Sequence, residues 1–354
     1  MSKSKKFVSV VIAFLMLFSV LSMVGCKVEK DTEENKEDSH IKDKNSDIVI
    51  GLSLPTQQEE RWVRDKEKME EVAKEEGVTL KTQIANQDDA KQLNQCENLI
   101  SQGVDILIIA PNEAKNFTSL SEKAHKDGIK VISYDRLLLD TEADLYVSFD
   151  NTKVGELQGQ YLVEKAPKGN YVILSGDPGD NNAKMFKEGA MKHIQPLIDK
   201  GDIKVVSEQA CVGWKPAEAQ KHMENALTKS GNKIDGILAP NDGTANGCIQ
   251  ALAAQNLAGK IPITGQDAEK TGAQRIVEGT QSMTIYKDTR LLGEAAIKAA
   301  ISIVKGEDVD AQEKIDNGKM DVPSNLVEPV IVTEDNIKEI LVDSGYLKEE
   351  DVYK

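Results

Sequence analysis

From Asp47 onward, short apolar runs alternate with longer stretches in which apolar residues recur every three or four positions. Residues 48–54 read as a buried strand, and residues 62–76 as an amphipathic helix stopped by Gly77. Residues 78–84 with 90–101, then 105–110 with 119–126, repeat that unit, and 129–134 add a further strand. Strands alternating with helices of this length predict a parallel sheet with right-handed crossovers. Residues 145–151 look like a strand leaving this series. A second series follows, with a helix at 154–165 and strands at 171–175, 203–207, 234–239 and 262–264. Helices near 183–198, 217–229 and 244–255 separate those strands. Residues 282–287 are extended, 291–304 helical, and 327–332 and 334–342 close the chain.

Some phrases occur twice. Lys130-Val131-Ile132-Ser133-Tyr134-Asp135-Arg136 is a strand ending on an acid-base pair, and Ile261-Pro262-Ile263-Thr264-Gly265-Gln266-Asp267 again ends on a carboxylate. Each is preceded by a matching phrase, Asp105 to Asn112 and Asp235 to Asp242, at separations of 30 residues (Asp105 to Asp135) and 32 residues (Asp235 to Asp267). The plain reading is that βα units look alike; the sharper one is two similar α/β lobes whose strand ends face one another across a cleft. The expected division is 47–150 plus about 288–320 for one lobe and 151–287 plus about 321–354 for the other, with the late helix packing back onto the first lobe.

At 354 residues the chain suits two domains. A formal charge of −15 argues against nucleic acid, because phosphate binding needs clustered Lys and Arg. The N-terminus differs from the rest: Lys3, Lys5 and Lys6 precede an apolar stretch over residues 7–24 and then Gly25-Cys26, the layout of a secretory signal over 1–25. Cys26 after a small residue resembles a bacterial lipobox, whose cysteine is acylated. Removing residues 1–25 with their three lysines takes the charge from −15 to −18, so a lipid anchor is the expected tie to an anionic membrane surface. Residues 26–46 are polar and charged and read as a disordered tether. Cys96, Cys211 and Cys248 show neither zinc nor disulfide-framework spacing; buried thiols and a Cys211–Cys248 bridge both stay open.

The candidate chemistry sits just past the strand ends, where open α/β sheets bind ligands. Glu60-Arg61-Trp62, Asp135-Arg136, Asp180-Asn181-Asn182, Gly213-Trp214, Asn241-Asp242 and Gln266-Asp267 fall there. The set includes both tryptophans of the chain. The rest is mostly planar groups that offer two donors or acceptors side by side. Vicinal hydroxyls and the C–H faces of a sugar ring call for this combination. Each residue also has a duller role: Asp180, Asp242 and Asp267 as helix N-caps, Arg61 in a surface pair, either tryptophan as core. No nucleotide-binding loop, nucleophile elbow or zinc-protease motif occurs, and the four histidines are scattered. A binding protein without cofactor or metal, and not an enzyme, is expected.

The order and wording of these segments resemble the bacterial D-xylose-binding proteins of ABC importers, within the type I periplasmic sugar-binding family. The phrases that carry the likeness are Glu60-Arg61-Trp62, Ser133-Tyr134-Asp135-Arg136, Asp180-Asn181-Asn182-Ala183-Lys184, Gly213-Trp214, Gly265-Gln266-Asp267-Ala268, Thr284-Ile285-Tyr286-Lys287 and Asp321-Val322-Pro323-Ser324. The resemblance implies two Rossmann-like lobes with parallel sheets, joined by three crossings and closing around a sugar. It implies that Arg61, Asp135, Arg136, Asn181, Asn182, Asn241, Asp267 and Lys287 bond the sugar hydroxyls while Trp62 and Trp214 sandwich the ring. D-xylose, an ABC permease as partner, a monomeric state and a lipid anchor on the outer face of the cell membrane follow as expectations. A receptor for another aldose (ribose, arabinose or glucose) and a sugar-sensing partner of a membrane kinase are the alternatives.

Overall fold

In β1 (Val49–Leu54), even-numbered residues face one layer of helices and odd-numbered residues another, which is why the strand reads as almost uninterruptedly apolar. The structure, a computed structural model, describes residues 44–353. After β1 come α1 (Glu60–Glu76), β2 (Thr79–Ile84), α2 (Asp89–Ser101), β3 (Ile106–Ile109), α3 (Thr118–Lys126), β4 (Lys130–Tyr134) and β5 (Leu145–Phe149). The second series runs α4 (Asn151–Lys165), β6 (Gly169–Ser175), α5 (Asn181–Asp199), β7 (Ile203–Ala210), α6 (Pro216–Ser230), β8 (Gly236–Leu238), α7 (Asp242–Ala253), α8 (Lys270–Val277) and β9 (Thr284–Tyr286). The chain ends with α9 (Thr289–Lys305), β10 (Glu313–Asp316), β11 (Asp321–Val327), β12 (Val330–Val332) and α10 (Glu349–Val352).

One sheet has the order β10-β11-β5-β4-β3-β1-β2, parallel except for β10. Ile50, Leu52, Ile108, Ile132 and Val147 face α1 and α9 from one side of it. Leu107, Ile109 and Val131 face α2 and α3 from the other. The second sheet, β7-β6-β8, is parallel throughout, and Ile263 adds a single bridge to Ile237 where a full strand was expected. On one face α4 and α5 lie almost in contact, because Gly155 and Gly159 leave room for the α5 backbone: a Cβ at Gly155 would stand 1.9 Å from the Phe186 carbonyl oxygen. On the other face α6 and α7 enclose Cys211 and Cys248 in a common core. Cys96, Cys211 and Cys248 are free and buried, which settles the open question against a bridge.

The chain passes between the two sheet systems, here called the first and second lobes, after β5, after β9 and after β11. The last crossing corrects the expected boundary near 320. Residues Ser324–Val327 of β11 pair in parallel with Tyr146–Phe149 of β5, so β11 belongs to the first sheet and the break falls at Glu328–Pro329. Its backbone hydrogen bonds place it there; its alternation of apolar and polar residues would suit either sheet.

At the other end, the fold begins slightly earlier than Asp47, with a short turn at Asn45–Asp47 that donates from Asn45 Nδ2 to the Glu76 carbonyl at 2.8 Å. The expected signal over 1–25, Cys26 and nearly all of the tether lie outside the described residues. No helix among the described residues is long and apolar enough to cross a membrane.

Candidate functional site

The strand ends converge on a cavity between the lobes. On the first-lobe side α1 delivers Arg61 and Trp62. The Arg61 guanidinium donates from Nη1 to Asp135 Oδ1 at 2.5 Å and from Nε and Nη2 to Asp65 Oδ2 at 3.1 and 3.0 Å. The Tyr134 hydroxyl donates to the other oxygen of Asp65. Arg61 is therefore no surface arginine; the Arg–Glu pair nearer the surface of this helix is Arg64 with Glu60. The guanidinium carbons of Arg61 and Arg136 lie 4.4 and 5.2 Å from the centroid of the Trp62 ring, a cation–π arrangement.

Asp135 follows β4 in the left-handed region, at φ 56°. Three donors hold that turn by its carbonyl: Tyr146 Oη at 2.9 Å, Ser148 Oγ at 2.6 Å and Asn182 Nδ2 at 3.0 Å. Trp214 at φ 55° and Asp267 at φ 91° are also left-handed. For a bulky tryptophan this is a true outlier, and such strain, of order 1–3 kcal/mol per residue, collects at ligand sites. Trp214 is carried by the turn Val212–Trp214 and rests on Gly176, where a Cβ would meet its ring at 2.1 Å.

Three ion pairs line the cavity: Arg61–Asp135, Arg136–Asp180 at 2.9 Å and Lys287–Asp267 at 3.0 Å. Burial would raise Asp135, but Arg61, Lys287 and Arg136 outweigh it and hold the carboxyl below the usual range. Asp180 goes the other way: burial dominates, and its carboxyl is raised despite Arg136. Asp65, deeper still, is pushed up to about 6 by burial, with Arg61 opposing.

Nine of the ten expected contact residues line this cavity: Arg61, Trp62, Asp135, Arg136, Asn182, Trp214, Asn241, Asp267 and Lys287. Asn181 does not; its side chain points to Met185 Sδ at 3.4 Å. The capping roles divide. Asp180 caps α5 through Asn182 N and still reaches Arg136. Asn241, not Asp242, caps α7, and Asp267 caps nothing. Glu59 and Phe186 line the cavity without having been singled out. Phe186 lies one helical turn after Asn182, a spacing that predicts a shared face. Gln266, at a strand end already noted, lines it too.

The two walls are tied together outside the cavity as well. Gln87 Nε2 donates to the Gly213 carbonyl at 2.9 Å, and Ala114 N to the Gly179 carbonyl at 3.0 Å. Lys270 N donates to Glu60 Oε2 at 3.0 Å, and Arg64 Nη1 to the Tyr346 carbonyl at 3.1 Å. The cleft is closed.

Residues 50–308 match the family described as periplasmic binding protein domain. This chain belongs to that family. It is 44% identical over 306 residues to the D-xylose-binding periplasmic protein of Escherichia coli (strain K12), covering 86% of this chain and 93% of that one. It is 35% identical over 321 residues to the multiple sugar-binding periplasmic receptor ChvE of Rhizobium radiobacter, covering 85% and 91%. Among solved structures, the carbohydrate transporter solute binding protein of Chloroflexus aurantiacus in complex with D-glucose superposes with a TM-score of 0.80 at 36% identity, covering 86% of this chain and 98% of that one. The periplasmic binding protein family and these relatives hold substrates and do not transform them. The architecture is the α/β, largely parallel one expected from the sequence. A cavity whose acids and bases are mostly locked in mutual pairs has the chemistry of such a holder.

Proposed function

We propose that this protein captures D-xylose outside the cytoplasm and presents it to an ABC permease. The observation that carries the reading is the closed cavity, whose paired charges and two tryptophans suit a small, neutral, hydroxyl-rich ring. An ionic ligand would have to break one of the buried pairs, at several kcal/mol. The E. coli relative, named for D-xylose, favours that sugar among the aldoses. In this reading Arg61, Asp135, Arg136, Asn182, Asn241, Asp267 and Lys287 bond hydroxyls, and Trp62 and Trp214 close on the ring. Asn181 acts only through the start of α5. The lobes, 47–150 with 288–327 and 151–287 with 328–354, move as two bodies about the three crossings. The protein works as a monomer, held at the outer face of the membrane by an acylated Cys26.

Relatives named for multiple sugars and a solved neighbour holding D-glucose favour a second reading, a receptor for another aldose. Titration calorimetry with xylose, ribose, arabinose and glucose decides between them. Xylose should bind tightest; a tenfold preference for another sugar would move the assignment to it, and no binding at all would end the proposal. For the anchor, Cys26→Ala should leave the membrane fraction with its sugar binding intact; retention after signal cleavage would exclude acylation at this position.

A further inference from the structure

Every cation lining the cavity is matched to an acid, and one acid is left over. Arg61 takes Asp135, Arg136 takes Asp180 and Lys287 takes Asp267. Glu59, which also lines the cavity, has no ion pair within 4 Å among the described residues. It stands at the N-cap of α1, yet its side chain makes no capping hydrogen bond. The other two caps at this cavity are engaged, Asp180 with Asn182 N and Asn241 with Thr244 N. Glu59 Oε2 is buried and has no hydrogen-bond partner among the described residues. A buried acceptor left unmade costs about 1–3 kcal/mol, so a folded protein that keeps one beside a cavity generally supplies the partner from elsewhere. The groups acting on its carboxyl are Arg136, its own backbone N–H and Arg61, which favour its charge, and Asp267, which opposes it; burial outweighs the favourable groups and raises the carboxyl above the ordinary glutamate value.

We propose that Glu59 is a specificity-determining contact, its carboxyl group bonding one hydroxyl of the bound sugar. The inference rests on the sugar-binding reading above and adds to it the residue that rejects rings lacking that hydroxyl. Both states of the carboxyl serve: ionised, it accepts from the hydroxyl; protonated, it also donates. A neutral polyol is the ligand class that satisfies Oε2 without leaving a second charge in the cavity. A site built to bond a hydroxyl discriminates strongly against the analogue without it, because the protein's polar atom is then stranded.

The test is calorimetry of wild type, Glu59→Leu and Glu59→Gln against D-xylose and its monodeoxy analogues, with thermal melts to verify folding. In wild type, removal of the hydroxyl facing Glu59 should weaken binding by about tenfold or more, the factor corresponding to ~1.4 kcal/mol. In Glu59→Leu the penalty for that one analogue should shrink to about twofold while the penalties for the others stay, as expected when one coupled pair is removed. Glu59→Gln keeps the size and one acceptor, and carries the same comparison if the leucine variant does not fold; it should retain part of the discrimination. If wild type binds xylose but both variants reproduce its whole pattern of penalties, Glu59 is not a contact and the inference falls alone. If wild type binds no aldose, the proposed function falls and takes the inference with it.

Discussion

The first-lobe wall of the cavity is braced from behind. Asp65 grips Arg61 and is itself bonded by Tyr134, while Tyr146 and Ser148 fix the Asp135 carbonyl from β5. The second-lobe wall presents Trp214 and Gln266, whose Nε1 and Oε1 atoms are buried and have no hydrogen-bond partner among the described residues. One wall has most of its polar groups satisfied before a ligand arrives, with Glu59 Oε2 and Arg136 Nε as exceptions; the other is completed by the ligand. Preorganised groups lose little freedom on binding and so contribute most to affinity. Unsatisfied groups on a closing wall make closure itself depend on the ligand. Truncating a cavity-lining residue on the braced wall should therefore cost more than truncating one on the receptive wall, and substitutions on the ties outside the cavity should cost least.

Asp135→Ala is the largest expected effect. It removes a hydroxyl acceptor and leaves Arg61 buried beside Asp65 alone, and truncating one member of a buried charge pair costs about 2–5 kcal/mol. Calorimetry should show xylose binding weakened by about 100-fold, ~3 kcal/mol. Loss below tenfold would mean that the braced wall is not where affinity resides. Trp214→Ala comes next, at about 30-fold, since the ring supplies apolar area and an N–H donor. Trp62 and Trp214 are the only tryptophans, so xylose should also shift wild-type indole emission saturably. Equal losses for Asp135→Ala and Trp214→Ala would erase the contrast between the walls.

Much of this contrast was legible in the sequence, because strand ends in parallel sheets are also ligand positions and the doubled phrases mark them. Two of the failures at the site, Asn181 and Glu59, are errors of helical phase. Asn181 and Asn182 begin α5, and Glu59 and Glu60 flank the start of α1; one residue along a helix turns the side chain by about 100°. Asn182 and Glu59 face the cavity, whereas Asn181 turns to Met185 and Glu60 to Arg64 and the start of α8. No run of residues at a helix start fixes that phase; packing of the finished helix does. The misplacement of β11 is the same kind of error at larger scale, since pairing with β5 is a long-range fact.

A smaller, sharper test concerns the brace itself. The Asp65 carboxyl has its pKa raised to about 6 by burial, while Asp135 is lowered and stays ionised throughout. A carboxylate with a raised folded pKa takes up protons on folding between its unfolded and folded values, so this group favours the native state most at low pH. That contribution falls away as pH rises from about 4 through about 6. Its grip on Arg61 runs the opposite way, strongest when ionised. Xylose affinity in wild type should therefore drop several-fold as pH falls from 7 to 5. Asp65→Asn should bind about tenfold more weakly at pH 7, the cost of one weakened charged hydrogen bond, and lose that pH step. If the step persists in Asp65→Asn, it belongs to Glu59 or Asp180, whose carboxyls are also raised.

The smallest effect is expected from Arg64, and it separates closure from recognition. Arg64 lines no part of the cavity; from α1 it reaches across to the Tyr346 carbonyl at 3.1 Å and lies 4.4 Å over the Tyr346 ring. Tyr346 packs in the second lobe with Ala268, Ile276 and Tyr286. This tie is made when the lobes are closed, so it biases the open–closed equilibrium without touching a sugar. A partly exposed cation–π contact and one charged hydrogen bond together amount to about 1 kcal/mol. Arg64→Met should then weaken binding about fivefold. Because the tie is blind to the ligand, the factor should be the same for every aldose that binds, leaving the order of preference untouched and falling mainly on the dissociation rate. Asp135→Ala, by contrast, should change the order, because different sugars place different hydroxyls against that carboxylate. An Arg64→Met variant that reorders the sugars would show that the outer tie reaches into the cavity, and the separation between closing and reading would not hold.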